Sequence, residues 1–531
     1  DVMYTTRGLQ QWHRYAYSSK SGKLDNHFGP GTNTVDAETR GIRYAYNTAK
    51  DETEYTRFDN STGAFSSSFT DYDGRHNPTA SAVAYNTTNR TPVSSMAWNS
   101  TFMMPSSIQN AEGEKTTMTY TNGSLAKSSA FYTESNSWNT IYGYTASGLL
   151  AAVTNANGNA TQYTYDSRGY PETVIPAVGP SVATAYDTYG NVQTLEILPE
   201  GETNGTGRIT QYSANPLGWV TQVTFPDGLS VSNQYNKLGD LTNTVDRAGR
   251  VTEFTYTPES YLASRTQYLE QNGSNVPVRI SYDYDQQFNT LSITEPRGRC
   301  VESYQLDIQD RVTSVTNIEG QSMTFGYSVG SMVTNVTRFD QSRLDTSYDS
   351  AGRQSAIAYY SSSNELLSTI SRTYYADSQL KTISDGTSSV SNSYDRLNRL
   401  TASLIRVDSS NSWAVSYSHD PVGNLTNSVV SLNNSSINNL TTSYSYDTAE
   451  RLTWISQSGS GFQPLAFSLN YNPTNGQLFS VVNTNSGVGV QYGYDLMDRR
   501  QQINWTDAET NTLRGLDYGF DALGMITNIT T

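Results

Sequence analysis

The sequence contains a single cysteine, Cys300, among 531 residues. One thiol cannot form an internal disulfide framework, so the fold must be held by backbone ladders and packing. No apolar run approaches the roughly 20 residues that a helix needs to cross a bilayer, which predicts no membrane insertion. Basic residues are also scarce, since 34 Lys and Arg stand against 49 Asp and Glu, for a net charge of −15. This balance argues against nucleic acid as a partner, because phosphate binding needs clustered Lys and Arg.

Apolar residues make up only 35% of the chain, against the ~45–50% usual for globular proteins. Disorder does not explain this low value, because disordered chains are poor in aromatics, whereas this chain has 39 Tyr, 15 Phe and 7 Trp. Tyr, Thr and Val favour the pleated, half-buried surface of a sheet, and Gly, Asn and Asp supply its turns. The composition therefore predicts an all-β protein with one solvated face.

A Tyr-Asp pair recurs along the chain and marks an internal repeat. The clearest unit is residues 157–169, Asn-Gly-Asn-Ala-Thr-Gln-Tyr-Thr-Tyr-Asp-Ser-Arg-Gly, and residues 246–256 repeat much of it. The anchors lie about 21–26 residues apart, which gives roughly twenty units. The repeat residues that we single out as a structural motif are Tyr165, Asp166, Gly169, Tyr186, Asp187, Gly190, Tyr348, Asp349, Gly352, Tyr394, Asp395, Tyr446, Asp447, Tyr494 and Asp495. Degenerate copies replace the pair by Tyr235-Asn236, Tyr471-Asn472 and His419-Asp420.

Each unit predicts a β-hairpin. Thr161, Tyr163 and Tyr165 alternate with other residues, as expected for one face of a strand. The following Asp-x-x-Gly segment predicts a tight turn, because Asp can hydrogen-bond the backbone two residues on and Gly169 tolerates a positive φ. The chain then reverses into a second short strand, and consecutive hairpins are expected to add edge to edge.

The pattern Tyr-Asp-x-x-Gly-[Arg/Asn]-[Leu/Val]-Thr, following Gly-[Asn/Arg]-x-Thr-x-[Phe/Tyr]-x-Tyr, resembles the YD/RHS repeat family. That family includes bacterial RHS proteins, the C components of ABC toxin complexes, wall-associated proteins and the teneurins. The resemblance implies a fold of tandem β-hairpins forming a long curled sheet that spirals into a hollow, barrel-like cocoon. In the toxins such a cocoon encloses a toxic segment, and in teneurins the shell supports adhesion at the cell surface.

We expect one continuous repeat domain, with degenerate repeats in residues 1–110 and regular repeats in residues 111–531. Because the sequence ends inside a repeat unit, we also expect it to be a trimmed piece of a longer polypeptide.

Residues that could carry chemistry have plainer interpretations. His13, His27, His76 and His419 lack the clustering of metal ligands, and Cys300 lacks a paired histidine, although two nearby Arg residues could activate a thiol. The repeated Asp residues suggest calcium, but each unit offers one Asp where calcium loops concentrate several oxygen ligands. Turn formation is therefore preferred, and we predict no metal and no cofactor.

Three further motifs allow alternative functions. Asp420-Pro421 is the only Asp-Pro pair, and in toxin-type relatives such pairs belong to a self-cleaving region, but here it occupies a repeat's own turn. The segment around Trp12, as well as Trp138, could stack on sugars, although aromatic residues on strands more often serve packing. The sequons at Asn60, Asn86 and Asn122 allow glycosylation in a eukaryotic secretory pathway.

The preferred function is a non-catalytic structural scaffold, part of the shell or sheath of a larger secreted or cell-surface protein. The alternatives are a toxin-encapsulating cocoon fragment and a glycan-binding adhesin. The expected partners are the remainder of a parent polypeptide or neighbouring copies, with an enclosed toxin cargo or surface glycans under the alternatives.

Overall fold

The repeats fold as a succession of β-hairpins, seen here in a computed structural model of the chain. The structure describes residues 2–531 except 7–8, 18–22, 32–39, 50, 60–62, 201–206, 272–273, 308, 329 and 433–438. Strands of five to eleven residues alternate with short turns, because segments rich in Tyr, Thr and Val are separated by Asp, Asn and Gly. The all-β prediction is confirmed.

The described residues form 45 strands in one sheet. In the first half of the chain they are β1 (Val2–Thr6), β2 (Leu9–Tyr17), β3 (Leu24–Gly31), β4 (Arg40–Tyr46), β5 (Glu52–Asp59), β6 (Ala64–Tyr72), β7 (Pro78–Tyr85), β8 (Thr91–Trp98), β9 (Pro105–Asn110), β10 (Lys115–Thr121), β11 (Ser124–Phe131), β12 (Ser137–Tyr144), β13 (Leu150–Thr154), β14 (Ala160–Tyr165), β15 (Pro171–Ile175), β16 (Ser181–Tyr186), β17 (Val192–Leu198), β18 (Arg208–Ala214), β19 (Val220–Thr224), β20 (Ser230–Tyr235), β21 (Leu241–Val245), β22 (Val251–Tyr256) and β23 (Leu262–Gln271).

In the second half they are β24 (Ser274–Tyr284), β25 (Thr290–Thr294), β26 (Cys300–Leu306), β27 (Val312–Asn317), β28 (Ser322–Tyr327), β29 (Val333–Thr337), β30 (Arg343–Tyr348), β31 (Gln354–Tyr360), β32 (Leu366–Tyr374), β33 (Leu380–Ser384), β34 (Ser389–Tyr394), β35 (Leu400–Arg406), β36 (Ser412–His419), β37 (Leu425–Leu432), β38 (Leu440–Tyr446), β39 (Leu452–Ser458), β40 (Leu465–Tyr471), β41 (Leu478–Asn483), β42 (Gly489–Tyr494), β43 (Arg500–Thr506), β44 (Thr512–Phe520) and β45 (Ile526–Thr530). No helix that could span a membrane occurs among the described residues.

Neighbouring strands pair antiparallel in chain order, as in β13–β14, β14–β15 and β15–β16. The strip of hairpins therefore has two edges. The Tyr-Asp turns, which follow even-numbered strands, lie along one edge, here called the Asp-turn edge. The turns that follow odd-numbered strands lie along the other, here called the opposite edge.

The chain divides into two units, and both are built from two segments distant in sequence. Unit 1 comprises Asp1–Met118, Arg279–Asn398 and Ser403–Asn411, and unit 2 comprises Thr119–Val278, Arg399–Ala402 and Ser412–Thr531. In each unit the two long segments are called here the N-terminal and the C-terminal segment. The predicted boundary at residue 110 concerns how regular the repeats are, and it remains a prediction.

Few side chains are fully buried. Among the described residues the buried apolar side chains are Phe58, Phe69, Ala84, Leu198 and Ala466, and most of the other buried positions are Ser or Thr. Most strand residues are half-buried instead. The sheet therefore keeps much of its surface accessible, and its stability depends on contacts between neighbouring hairpins.

Candidate functional site: the Tyr-Asp turns and the seams

The motif tyrosine bonds each hairpin to the one before it. The Tyr165 hydroxyl donates to the carbonyl oxygen of Leu150, 15 residues earlier, at 2.8 Å. The same bond with the same separation joins Tyr186 to Pro171, Tyr235 to Val220, Tyr256 to Leu241, Tyr327 to Val312 and Tyr348 to Val333, at 2.6–2.9 Å. With longer or shorter intervals it recurs at Tyr394, Tyr446, Tyr471 and Tyr494. The acceptor is in each case the first residue of the odd-numbered strand that follows the preceding turn on the Asp-turn edge.

A β-bulge accompanies this tyrosine. Thr164 pairs with Thr173 but Tyr165 pairs with Pro171, so one residue of β15 is skipped. The same irregularity precedes Tyr186, Tyr348 and Tyr494. A bulge locally redirects a side chain, and here it coincides with the hydroxyl bond to the previous hairpin.

The motif aspartate organises its own turn. Asp166 Oδ1 accepts from the amides of Arg168 and Tyr170 at 2.8 and 3.0 Å, while the Gly169 amide donates to the Asp166 carbonyl at 3.0 Å. Equivalent carboxylate bonds to the amides two and four residues on occur at Asp187, Asp349, Asp447 and Asp495. Asp395 accepts from the Leu397 amide at 2.9 Å. These carboxylates are engaged within their turns, which is the role expected of a turn-forming Asp.

An arginine four residues after the aspartate links the turn to the next hairpin. Arg353 Nε donates to Asp349 Oδ2 at 2.8 Å, while its Nη1 donates to the Tyr375 carbonyl oxygen at 2.7 Å. Its guanidinium also lies 4.8 Å from the Tyr374 ring centroid. The same arrangement places Arg311 over Tyr327 and Arg499 over Phe520. Sequence reasoning recorded this arginine in the motif but missed its bond to the next turn.

The fourth turn residue adopts a left-handed backbone. Gly169, Gly190 and Gly352 have φ of 89°, 91° and 77°, which glycine reaches without a Cβ penalty. Where glycine is absent the same conformation is kept, with φ of 62° at Asn398 and 64° at Glu450.

In unit 1 the opposite edge of the N-terminal segment contacts the Asp-turn edge of the C-terminal segment. Glu112 accepts from the amide of Ala376, 264 residues further along the chain, at 2.5 Å. The Tyr85 amide donates to the Ser350 carbonyl at 2.8 Å, and the Tyr85 and Tyr348 rings meet edge to face at 6.3 Å. We call this contact the unit 1 seam.

Unit 2 has a seam of the same kind. Asn157 Nδ2 donates to Asp420 Oδ2 at 3.0 Å across 263 residues, and Asn155 bonds Glu450 across 295 residues. The Glu200 amide donates to the Pro473 carbonyl at 3.0 Å, and Arg208 forms an ion pair with Asp498. The opposite-edge turns at Asn155 and Glu200 thus meet Asp-turn residues of the C-terminal segment. Asp420 was predicted only to form a turn, and the repeat pattern predicted none of these contacts.

The unit 1 seam borders an acidic cleft of about 230 Å³ lined by Glu112, Glu114, Asp377, Asp395 and Arg396. Partial burial raises the pKa of Glu114, a bond from Asn110 lowers it, and the charges of Asp377, Asp395 and Glu112 raise it further. No cluster of three or more potential metal ligands occurs in the part of the chain that the structure describes.

Each of the remaining candidates has contacts of its own. His27 stacks on Tyr15 at 4.5 Å, and burial lowers the pKa of its imidazole. His76 pairs with Asp51 at 2.8 Å, and the Cys300 thiol is exposed and lies 3.2 Å from the Glu302 carbonyl oxygen. Asp420, ahead of Pro421, accepts from the amides of Val422, Gly423 and Asn424, so the Asp-Pro pair forms a turn.

Of the proposed sugar-stacking residues, Trp138 lies parallel to Tyr132 at 4.5 Å, so one of its ring faces is covered. The side chains of Trp12 and His13 and the Asn60 sequon lie outside the described residues. Asn86 and Asn122 have positive φ, of 49° and 51°.

Comparison with known proteins confirms the resemblance to the YD/RHS repeat proteins. The Teneurin YD-shell family matches residues 359–529, and the RHS repeat family matches residues 144–179. No curated protein sequence matches the chain.

Solved structures share the fold. A crystal structure of TcdB2-TccC3 without its hypervariable C-terminal region aligns with a TM-score of 0.63 at 11% identity, covering 99% of this chain and 34% of that one. Structures of TcdB2-TccC3-TEV and TcdB2-TccC3 align with TM-scores of 0.57 and 0.53 at 12% identity, again over 99% of this chain. The chain spans about a third of the length of these proteins.

Proposed function

We propose that the chain is a structural wall: tandem hairpins wound so that successive passes seal against each other, forming part of the shell or sheath of a larger protein. The observation that carries this proposal is the seam present in each unit, which joins residues 264 apart in unit 1 and 263 to 295 apart in unit 2. A sheet strip that returns to its own edge after a similar number of residues in both units has the geometry of a continuous wall. Sealing edges against each other also protects them from aggregation.

The hairpin-to-hairpin bonds support this mechanical role. Tyr348 ties its hairpin backwards to Val333, and Arg353 ties the following turn forwards to Tyr375. This repeat is therefore fixed to both neighbours, as in repeat proteins whose stability is a sum of units and nearest-neighbour interfaces.

We propose that the wall is non-catalytic. The carboxylates that recur most often are bonded to their own turn amides, as at Asp166 and Asp447. General acid–base chemistry needs a carboxyl positioned against a substrate proton, whereas these groups are positioned against the backbone.

The resemblance to RHS and teneurin repeats favours a secreted or cell-surface setting for the parent protein. Its partners would be further repeats of that protein or neighbouring copies. An enclosed toxic segment is the alternative that the toxin-type relatives suggest.

Small-angle scattering and cryo-electron microscopy of the purified chain test the wall directly. A compact protein of this length has a radius of gyration of about 24 Å, and a wall around a lumen must exceed it and show a low-density centre. A radius near 24 Å with a filled centre would refute the proposal. Density inside the wall of the parent protein, but not of this chain, would favour the cargo alternative.

A further inference from the structure

The seam of unit 2 contains an asparagine in a sequence context that favours a chemical change. Asn157 precedes Gly158, in one of the five Asn-Gly pairs of the chain, and its Nδ2 donates to Asp420 Oδ2 at 3.0 Å. Asparagine before glycine loses its side-chain amide most readily, because glycine has no side chain to hinder attack by its backbone nitrogen. Asn157 therefore combines a reactive sequence with a bond between distant parts of the chain.

The surroundings of this pair leave room for the reaction. Asn157 and Gly158 are both exposed, and no atom lies within 4 Å of the position that a Cβ on Gly158 would occupy. At Asn475-Gly476, by contrast, both residues are half-buried, and the corresponding position lies 3.0 Å from Pro180. The Gly158 amide donates to the Asn155 carbonyl oxygen at 3.0 Å, so the attack requires a local opening of this turn, which costs less than global unfolding.

The turn itself does not require asparagine at this position. Turns with the same pair of backbone bonds have Asp227 or Glu319 before their glycine. A carboxylate is therefore compatible with the turn, and the effect of a carboxylate at position 157 depends on what surrounds it in the seam.

A carboxylate at position 157 would lie among other carboxylates. Asp420 is in contact with the Asn157 side chain, Glu450 is bonded to the same turn, and the turn of residues 155–159 contains no basic residue. Although partial burial raises the pKa of Asp420, bonds from the Asn157 and Asn424 side chains lower it overall, so this carboxyl is ionised at neutral pH. Deamidation would replace a hydrogen-bond donor by a like charge, and like charges in contact repel.

We propose that Asn157 is a deamidation site and that its conversion to a carboxylate opens the unit 2 seam at this contact. The Gly158 nitrogen attacks Asn157 Cγ and loses its proton, the Cγ–Nδ2 bond breaks, and ammonia leaves. Water then opens the five-membered succinimide and gives aspartate, or isoaspartate when it attacks the other carbonyl. The net reaction consumes water, releases ammonium and adds a negative charge, so the weakening of the seam is irreversible. This inference concerns the seam bond and does not require the wall to enclose a lumen.

Peptide mapping by mass spectrometry during incubation in mildly alkaline buffer tests the modification. Asn157 of the folded chain is expected to gain the mass that deamidation adds. A synthetic peptide of residues 153–161 verifies that the conditions are sufficient. The proposal is overturned if Asn157 of the folded chain is unchanged after the peptide has reacted completely.

Hydrogen exchange of purified variants tests the consequence for the seam. In Asn157→Asp, amides of the two turns that meet, residues 155–159 and 420–424, should exchange at least about fivefold faster than in the wild type. Asn122→Asp is the matched control, because it adds the same charge to another exposed Asn-Gly turn of unit 2 that takes no part in the described seam bonds. It should leave exchange at both turns unchanged.

Asn157→Ala separates the added charge from the lost bond. This variant removes the donor without adding a carboxylate, so exchange at the two turns should rise less than in Asn157→Asp. Exchange in Asn157→Asp that matches the wild type would contradict the proposal. An equal rise in Asn157→Ala or in Asn122→Asp would contradict it as well, because repulsion at this contact would then not be the cause.

Discussion

At the scale of the residue, the Tyr, Asp and Arg of the motif each bond a different part of the sheet: the preceding hairpin, their own turn and the following hairpin. Tyr165 reaches back to Leu150, Asp166 bonds its own turn, and the arginine of the motif reaches forward, as Arg353 does to Tyr375. The turn-forming character of Asp could be predicted from residue type, because it depends on local backbone geometry. The hydrogen bonds of the Tyr and Arg side chains could not be predicted in this way, because they depend on the β-bulge and on which hairpin is the neighbour in the sheet.

Replacing Tyr165 by Phe removes the hydroxyl bond to Leu150 while keeping the ring. We expect a cost of about 1 kcal/mol, the usual contribution of one hydrogen bond. Hydrogen exchange reads local opening, and amides of β13–β15 should exchange roughly fivefold faster. Tyr163→Phe is the matched control, because Tyr163 lies two residues earlier in the same strand and is similarly half-buried. Equal effects of the two changes would contradict the role assigned to the Tyr165 hydroxyl.

The turn carboxylates predict instability in acid. A bond from the Asn191 side chain lowers the pKa of Asp187, and one from Asn511 lowers that of Asp507. The unfolded-state pKa of Asp is near 3.9. A carboxyl whose folded-state pKa is lower stabilises the folded protein at pH values above about 3.9, and this stabilisation is lost as the pH falls through the folded-state pKa. The urea concentration at the midpoint of unfolding should therefore decrease as the pH is lowered below about 4. Asp187→Asn should show a shallower fall, and an identical acid profile would count against the turn contribution.

At the scale of the element, the hairpins could largely be predicted from the sequence. The spacing of the Tyr-Asp pairs predicted the turns on the Asp-turn edge. The glycine in the motif predicted the left-handed backbone of the fourth turn residue, as at Gly169 and Gly352. Asn398 and Asp498 also hold the fourth position, and their residue types enter the left-handed region more readily than most. Glu450 has no such preference, yet its φ is 64°, so the bonds of the turn impose the conformation there.

Thr510 holds this left-handed position with φ of 67°, which is costly for a β-branched residue. Thr510→Gly should therefore stabilise the β43–β44 hairpin by about 1 kcal/mol, since L-residues pay roughly 1–2 kcal/mol there. Gly249→Ala is the reciprocal change, at φ of 79° with no atom within 4 Å of the added Cβ, and should destabilise β21–β22 by a similar amount. Hydrogen exchange of the two hairpins measures both, and opposite signs are required.

At the scale of the whole molecule, the contacts of the two seams could not be predicted from the sequence. Glu112 and Ala376 are 264 residues apart, and the residue that meets a given turn depends on twist accumulated over every intervening strand. A repeat pattern predicts which hairpins are neighbours along the sheet, but it does not predict the total twist between distant hairpins. The resemblance to the YD/RHS repeat family implied a sheet that spirals, and the structure identifies residues that meet within each unit.

The unit 1 seam should respond to pH with a sign opposite to that of the turns. Burial, with Asp377, Asp395 and Glu112 nearby, raises the pKa of Glu114. Because its folded pKa lies above the unfolded value, ionised Glu114 destabilises the seam at neutral pH, and this cost disappears as the pH falls through the folded pKa towards the unfolded value of about 4.3. Glu114→Gln should raise the urea midpoint of unit 1 at pH 7, and the gain should vanish near pH 4. Glu319→Gln, in an exposed turn, is the control. A gain of equal size at both pH values would mean that the charge of Glu114 is not its cause.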